Sequence, residues 1–127
     1  MRLFNILMKI VEKLNFPVYK TFTFYNGWGS YQNSLTAVKI GNLLFFTGAL
    51  NSGTKTAYTK ILDLPAGLSN DNTIQYITAH SWSAPTPGYM LRVLNNSIVV
   101  DNNFNIPENI GNLYISGIIC LSGGGTA

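Results

Sequence analysis

Along residues 2–14, apolar side chains recur at Leu3, Leu7, Ile10 and Leu14, with Phe4, Met8 and Val11 beside them. Positions three and four apart share one side of a helix, so this spacing predicts an amphipathic helix with a broad apolar stripe, closed by Asn15 and Pro17. Such a helix is about 20 Å long at 1.5 Å per residue. In isolation it is marginal, so the stripe has to pack on something. Three surfaces fit: the chain's own domain, other copies of the chain, or a membrane surface. The near-heptad spacing favours other copies.

Beyond Pro17 the period changes from about 3.5 to 2. "VYKTFTFY" (18–25) alternates cleanly. "SLTAVKI" (34–40) and "LLFFTGAL" (43–50) follow, joined by Gly41-Asn42, a pair suited to a two-residue hairpin. Further strands are predicted at 58–64, 73–82, 89–94, 97–101 and 113–121. The connections carry turn chemistry: Asn51-Ser52-Gly53, Pro65-Ala66-Gly67, Pro85-Thr86-Pro87-Gly88, Asn95-Asn96 and Asn102-Asn103. Short strands at this spacing, with no helical segments between them, predict an all-β fold, an antiparallel β-sandwich of jelly-roll type. The expected division is an oligomerisation helix over 1–16 and a sandwich over 17–127.

Composition narrows the possible roles. The 127 residues make one domain. Only 10% of them are charged, against about 25% in an ordinary soluble domain, and Asn, Ser, Thr and Gly fill the difference. A neutral polar surface suits a protein outside a cell or inside a large assembly. The net charge of +3 belongs to residues 1–20; from 21 onward Lys39, Lys55, Lys60 and Arg92 balance Asp63, Asp71, Asp101 and Glu108. Nucleic-acid binding needs clustered cations, and the main body has no cluster.

No apolar run is long enough to insert in a membrane, and the basic start lacks the small-x-small site of a signal peptide. Cys120 is the single cysteine, so there is no internal disulfide, and its apolar surroundings predict a buried, inert thiol. One histidine, His80, cannot build a His-based metal site. Residue counts leave room for a Ser-His-Asp set, but no nucleophile-elbow motif supports one. The expectation is a binding protein, not an enzyme, with neither metal nor cofactor.

Sugar rings present C–H faces that stack on aromatic side chains and hydroxyls that need planar polar partners. The stretch richest in both is "YITAHSWSAPTPGYMLRV", and its His80, Trp82, Tyr89 and Arg92 are the candidate ligand-binding residues. Within a strand His80 and Trp82 share a side, as do Tyr76 and Thr78. Trp82 and Tyr76 also fit a core or a subunit interface, and His80 fits a plain hydrogen-bonding role. Trp28 with Tyr31 forms a second aromatic pair, open to core packing at the helix-to-sheet junction. The loops 51–54 and 70–72 are the next candidates for a site.

One ordered series of features carries more than its parts. Trp28 and Tyr31 precede "AVKIGNLLFFTGALNSG", a Lys-bearing strand, a Gly-Asn turn and a strand reaching Gly48; "KILDLPAGL" then ends a further strand in a Leu-Pro-x-Gly corner. Over residues 28–121 this resembles the head domain of tail-fibre and baseplate receptor-binding proteins of phages and prophages of Gram-positive bacteria. The resemblance implies a β-sandwich head in the virion tail or baseplate that forms homotrimers, contacts other tail or baseplate proteins and adsorbs to cell-surface saccharide or teichoic acid. The alternative is a non-catalytic structural module of the tail or baseplate. Two departures stand out: "LSNDNT" follows Gly67 where the family commonly has another proline, and only the short helix precedes the head.

Overall fold

The structure, a computed structural model, describes residues 2–14, 16–81, 88–101 and 106–122, without the side chains of residues 11–14. Among them are a helix, α1 (Arg2–Leu14), and nine strands. The strands are β1 (Val18–Tyr19), β2 (Gly29–Ser30), β3 (Thr36–Ile40), β4 (Leu43–Asn51), β5 (Lys60–Asp63), β6 (Gln75–Ser81), β7 (Tyr89–Leu94), β8 (Ser97–Val100) and β9 (Asn112–Cys120). All their pairings are antiparallel, in the order β1-β3-β4-β9-β6-β7-β8-β5, with β2 on β4. The expected all-β, sandwich-like fold with one short N-terminal helix is what forms.

The tight turns follow from their residues. Ile40 and Leu43 face each other across Gly41-Asn42, and Gly41 takes φ +61°. Leu94 and Ser97 face each other across Asn95-Asn96, where both asparagines are left-handed at φ 50° and 64°. Two left-handed residues in succession match the twist of the flanking strands, and asparagine tolerates that conformation at little cost. At the Leu-Pro-x-Gly corner the amide of Leu68 bonds the carbonyl of Pro65, with Gly67 at φ +85°.

β2 and β3 are one strand with an excursion in the middle. Both run beside β4, but the register advances by three between Ser30↔Leu50 and Thr36↔Thr47, and a 3-10 turn at Tyr31–Asn33 holds the extra residues. The excursion crosses β4 at Gly48, whose φ is +135°. A Cβ there would lie 2.5 Å from the carbonyl oxygen of Ser34 and 2.6 Å from the Cα of Leu35, so only glycine fits. The hydroxyls of Ser30 and Ser34 accept from the amides of Leu35 and Ala49 and replace ladder bonds lost at the crossing.

The sheet curls until its ends meet. β1 pairs with β3 at one end of the order, and a few residues later the same stretch reaches β5 at the other: Tyr25 N–H donates to Ile61 O, Asp63 N–H donates to Thr23 O, and Phe24 bridges Leu62. The strand expected over 18–25 is therefore divided between two edges. Leu44, Phe46, Ile77, Leu91, Ile98 and Leu113 are enclosed at 2% exposure or less. Trp28 joins this core at 5% exposure, its indole N–H on the carbonyl of Thr54, which settles its role as packing.

Gln75 repairs a gap between β6 and β9. Their backbone pairing runs from Ser81↔Leu113 to Thr78↔Ser116 and stops. Beyond it the buried Gln75 side chain acts as a peptide group: its Nε2 donates to Cys120 O at 2.9 Å and its Oε1 accepts from Cys120 N at 2.6 Å. Cys120 itself is exposed, contrary to the expected buried thiol. Ile115 and Ile119 point inward along β9, which turns residue 120 outward, a parity that the run of apolar residues concealed.

A polar cluster locks the curl. Asp63 accepts hydrogen bonds from the Tyr25 hydroxyl and from Ser97 Oγ at 2.9 Å, and forms an ion pair with Lys60 at 2.8 Å. The Lys60 ammonium also lies 4.2 Å from the centre of the Tyr25 ring. Bonding to Lys60, and next to Tyr25, holds the Asp63 carboxyl below its ordinary pKa, while the bond to Asp63 raises both Tyr25 and Lys60. A carboxylate with a depressed folded pKa contributes stability above its unfolded pKa and loses it as pH falls through the folded value. The melting temperature should therefore decline on acidification below about pH 4. In Asp63→Asn that decline should be shallower, which paired thermal melts of the two proteins will show.

Candidate functional site

Alternation along the central strands separates an inner from an outer sheet face. On β6, Gln75, Ile77, Ala79 and Ser81 are buried, and Tyr76, Thr78 and His80 face out. On β7, Tyr89, Leu91 and Val93 are buried, and Met90, Arg92 and Leu94 lie on the other side. Of the four residues singled out from sequence, His80 and Arg92 thus occupy the outer face. Tyr89, 7% exposed, packs in the core and is not available to a ligand. Trp82 lies outside the described residues.

His80 closes one side of an open cleft of about 360 Å³, bounded also by Thr47 and Gly48 of β4 and by Tyr114, Ile115 and Ser116 of β9. The register explains the grouping, since Ser116 pairs with Thr47 on one flank and Thr78 on the other, and Tyr114 pairs with His80. The His80 and Tyr114 rings meet edge to face, centroids 5.5 Å apart. His80 Nδ1 lies 3.0 Å from Ser81 O. A carbonyl only accepts, so Nδ1 donates in this contact and Nε2 is left facing the cleft's other polar groups. Two aromatic rings, three hydroxyls and a ring nitrogen in a cleft this size can stack on and hydrogen-bond a polyol.

Tyr114, Thr47 and Ser116 did not stand out in the sequence. Tyr114 and Ser116 are alternate positions of "LYISGIICL", so their shared side was legible, but β9's position between β4 and β6 was not. Across the β6–β7 pairing Arg92 stands beside Tyr76, which is four residues from His80 along β6. It borders a polar hollow of about 110 Å³ formed with loop residues 70–73 and Asn95, which joins the loop candidate 70–72 to the Arg92 candidate. The Asp71 carboxylate in this loop is bonded by the hydroxyl and amide of Thr73 and by Gln75 Nε2, and those bonds lower its pKa. Among the described residues no group of three His, Cys, Asp or Glu side chains could hold a metal ion.

The helix meets the same outer face. Leu3, Phe4 and Leu7 of α1, with Phe45 of β4 and Ile118 of β9, line an apolar groove of about 230 Å³. Phe4, Leu7 and Met8 are half-buried, but Leu3 remains 80% exposed and Ile6 and Ile10 nearly half exposed. The stripe is thus only partly covered by its own domain. No helix is long and apolar enough to cross a membrane among the described residues.

Inward and outward residues should separate in stability. Tyr89→Ala empties core volume and should cost about 3 kcal/mol or more, whereas His80→Ala and Tyr114→Ala on the outer face should each stay within about 1 kcal/mol. Urea unfolding of the three variants measures this.

No protein-family model matches the chain. Nor does any curated protein match it. Among solved structures, the crystal structure of the receptor binding protein (gp15) of Listeria phage PSA is similar, with a TM-score of 0.60 and 24% sequence identity, covering 90% of this chain and 70% of that one. The fold described above is therefore one that a phage receptor binding protein also adopts.

Proposed function

We propose that this protein is a non-catalytic receptor-binding head of a phage tail or baseplate, and that it adsorbs to saccharide on the host cell surface through the cleft between His80 and Tyr114. The observation that carries this reading is the fold shared with a phage receptor binding protein over 90% of the chain. The chemistry of the cleft agrees with it. A shallow polar site gains little after ordering costs are met, so each cleft binds weakly and adsorption depends on several acting together. Avidity of this kind adds roughly 10²- to 10⁴-fold.

A homotrimer supplies that multivalency, and the exposed Leu3, Ile6 and Ile10 supply a seam for it, continuous with Leu43 and Ile118 on the sheet. Light scattering should give about three times the 13.9 kDa chain mass. An Ile6→Glu, Ile10→Glu double variant should fall to monomer with an unchanged β circular-dichroism spectrum. A wild-type monomer at micromolar concentration would sink the trimer.

Adsorption itself is tested with a glycan array that includes teichoic acids, and with host-cell binding. Saccharide should be retained by the wild-type protein and lost at least tenfold in Tyr114→Ala and His80→Ala at unchanged melting temperature. Retention of no glycan, together with binding to isolated tail proteins, would leave the structural-module alternative standing.

A further inference from the structure

Four cations follow residue 20, and three of them are engaged. Lys60 pairs with Asp63 at 2.8 Å, Lys39 Nζ donates to Gly41 O at 2.9 Å, and Lys55 Nζ donates to Glu108 O at 3.3 Å. Arg92 differs. Among the described residues its guanidinium has neither an ion pair nor a hydrogen bond, and its Nε is buried with no partner. A rigid fork of five donors, partly removed from water, is in this state only half satisfied.

Its surroundings are not those of a bystander. Tyr58 lies over it, the ring centre 5.9 Å from the guanidinium carbon. To stand there Tyr58 takes φ +61°, a left-handed backbone that a bulky aromatic residue seldom adopts, anchored by its amide on Val100 O. The hollow that Arg92 borders is shared with Asn70, Asn72, Thr73 and Asn95 and with the apolar Ile74, Val93 and Leu94. Its one carboxylate, Asp71, has its Oδ1 occupied by Thr73 and Gln75.

We infer that Arg92, capped by Tyr58 and bordered by the 70–73 loop, is a subsite for an oxyanion, a phosphate or a carboxylate carried by the ligand. The planar fork matches two oxygens of such a group at once. Tyr76 pairs with Arg92 and His80 lies four residues further along β6, which at 3.3 Å per residue sets the subsite about 13 Å from the aromatic cleft. A single sugar ring cannot reach both. The ligand that uses both is a polymer with an uncharged sugar and an anionic group in regular succession, so the biological use of the subsite rests on the adsorption reading. Binding of the anion does not.

The test is nitrogen-15 NMR of the arginine Nε–H groups in the full chain, titrated separately with glycerol 2-phosphate, glucuronate, glucose and sodium chloride at matched ionic strength. The Arg92 signal should move saturably with the phosphate, the carboxylate or both, and stay still with glucose and chloride; which anion binds tighter identifies the source. Arg92→Lys should weaken binding at least fivefold by losing the fork, and Asp71→Asn should tighten it. An Arg92 signal that responds to neither anion, or equally to chloride, overturns the subsite even if every variant fails to fold, since it is read in the wild-type protein. If the glycan array is blank while phosphate moves Arg92, the adsorption reading falls and the subsite stands. If glycan is retained while Arg92 stays silent, the subsite falls and the adsorption reading stands.

Discussion

Everything else in this fold depends on the stretch 18–25 serving both ends of the sheet. An open sheet of this length would leave unpaired amides and carbonyls on β1 and β5, and edges of that kind invite pairing with other chains. Here the chain bonds β3 through Val18 and Tyr19 and then β5 through Phe24 and Tyr25, so the curl is closed by backbone hydrogen bonds. Asp63, reached by Tyr25, Lys60 and Ser97, pins that closure from the side. With the inner face sealed, alternation along each strand becomes a sorting rule that sends Tyr89 in and His80 out.

Closure also decides where chemistry can occur. The outer face carries an apolar groove under α1 and, adjoining it through Thr47 and Ser116, an aromatic cleft at His80 and Tyr114, with the Arg92 guanidinium apart from both on β7. In a body with so few charges, most cations are committed to carbonyls or to Asp63. Electrostatic specificity on this surface is therefore local. It resides in single groups at defined spacing, not in a broad field.

Much of the fold was legible because its signals are local. The strands from 34 to 121 are found within two residues of their expected limits, and Gly41-Asn42 and Asn95-Asn96 make the turns their conformational preferences dictate. Failures arise where distant partners decide. Residues 18–25 alternate like one strand, yet their two halves bond different edges. Cys120 sits in an apolar run whose parity only its neighbours reveal. The same holds for the site: His80 and Arg92 were visible as residue types, but Tyr114 became relevant only when β9 was placed beside β6.

Gln75 has a consequence for how this chain can drift in sequence. Its side-chain amide closes two bonds with one residue, as a donor to Cys120 O and an acceptor from Cys120 N, while Nε2 also reaches Asp71. Glutamate lacks the donor and would set a charge against a carbonyl, lysine lacks the acceptor, and asparagine is one methylene short. A position that looks like any neutral polar residue of a neutral polar protein is thus tied to its amide by strand pairing, and exchange there would be felt in the join of β6 to β9.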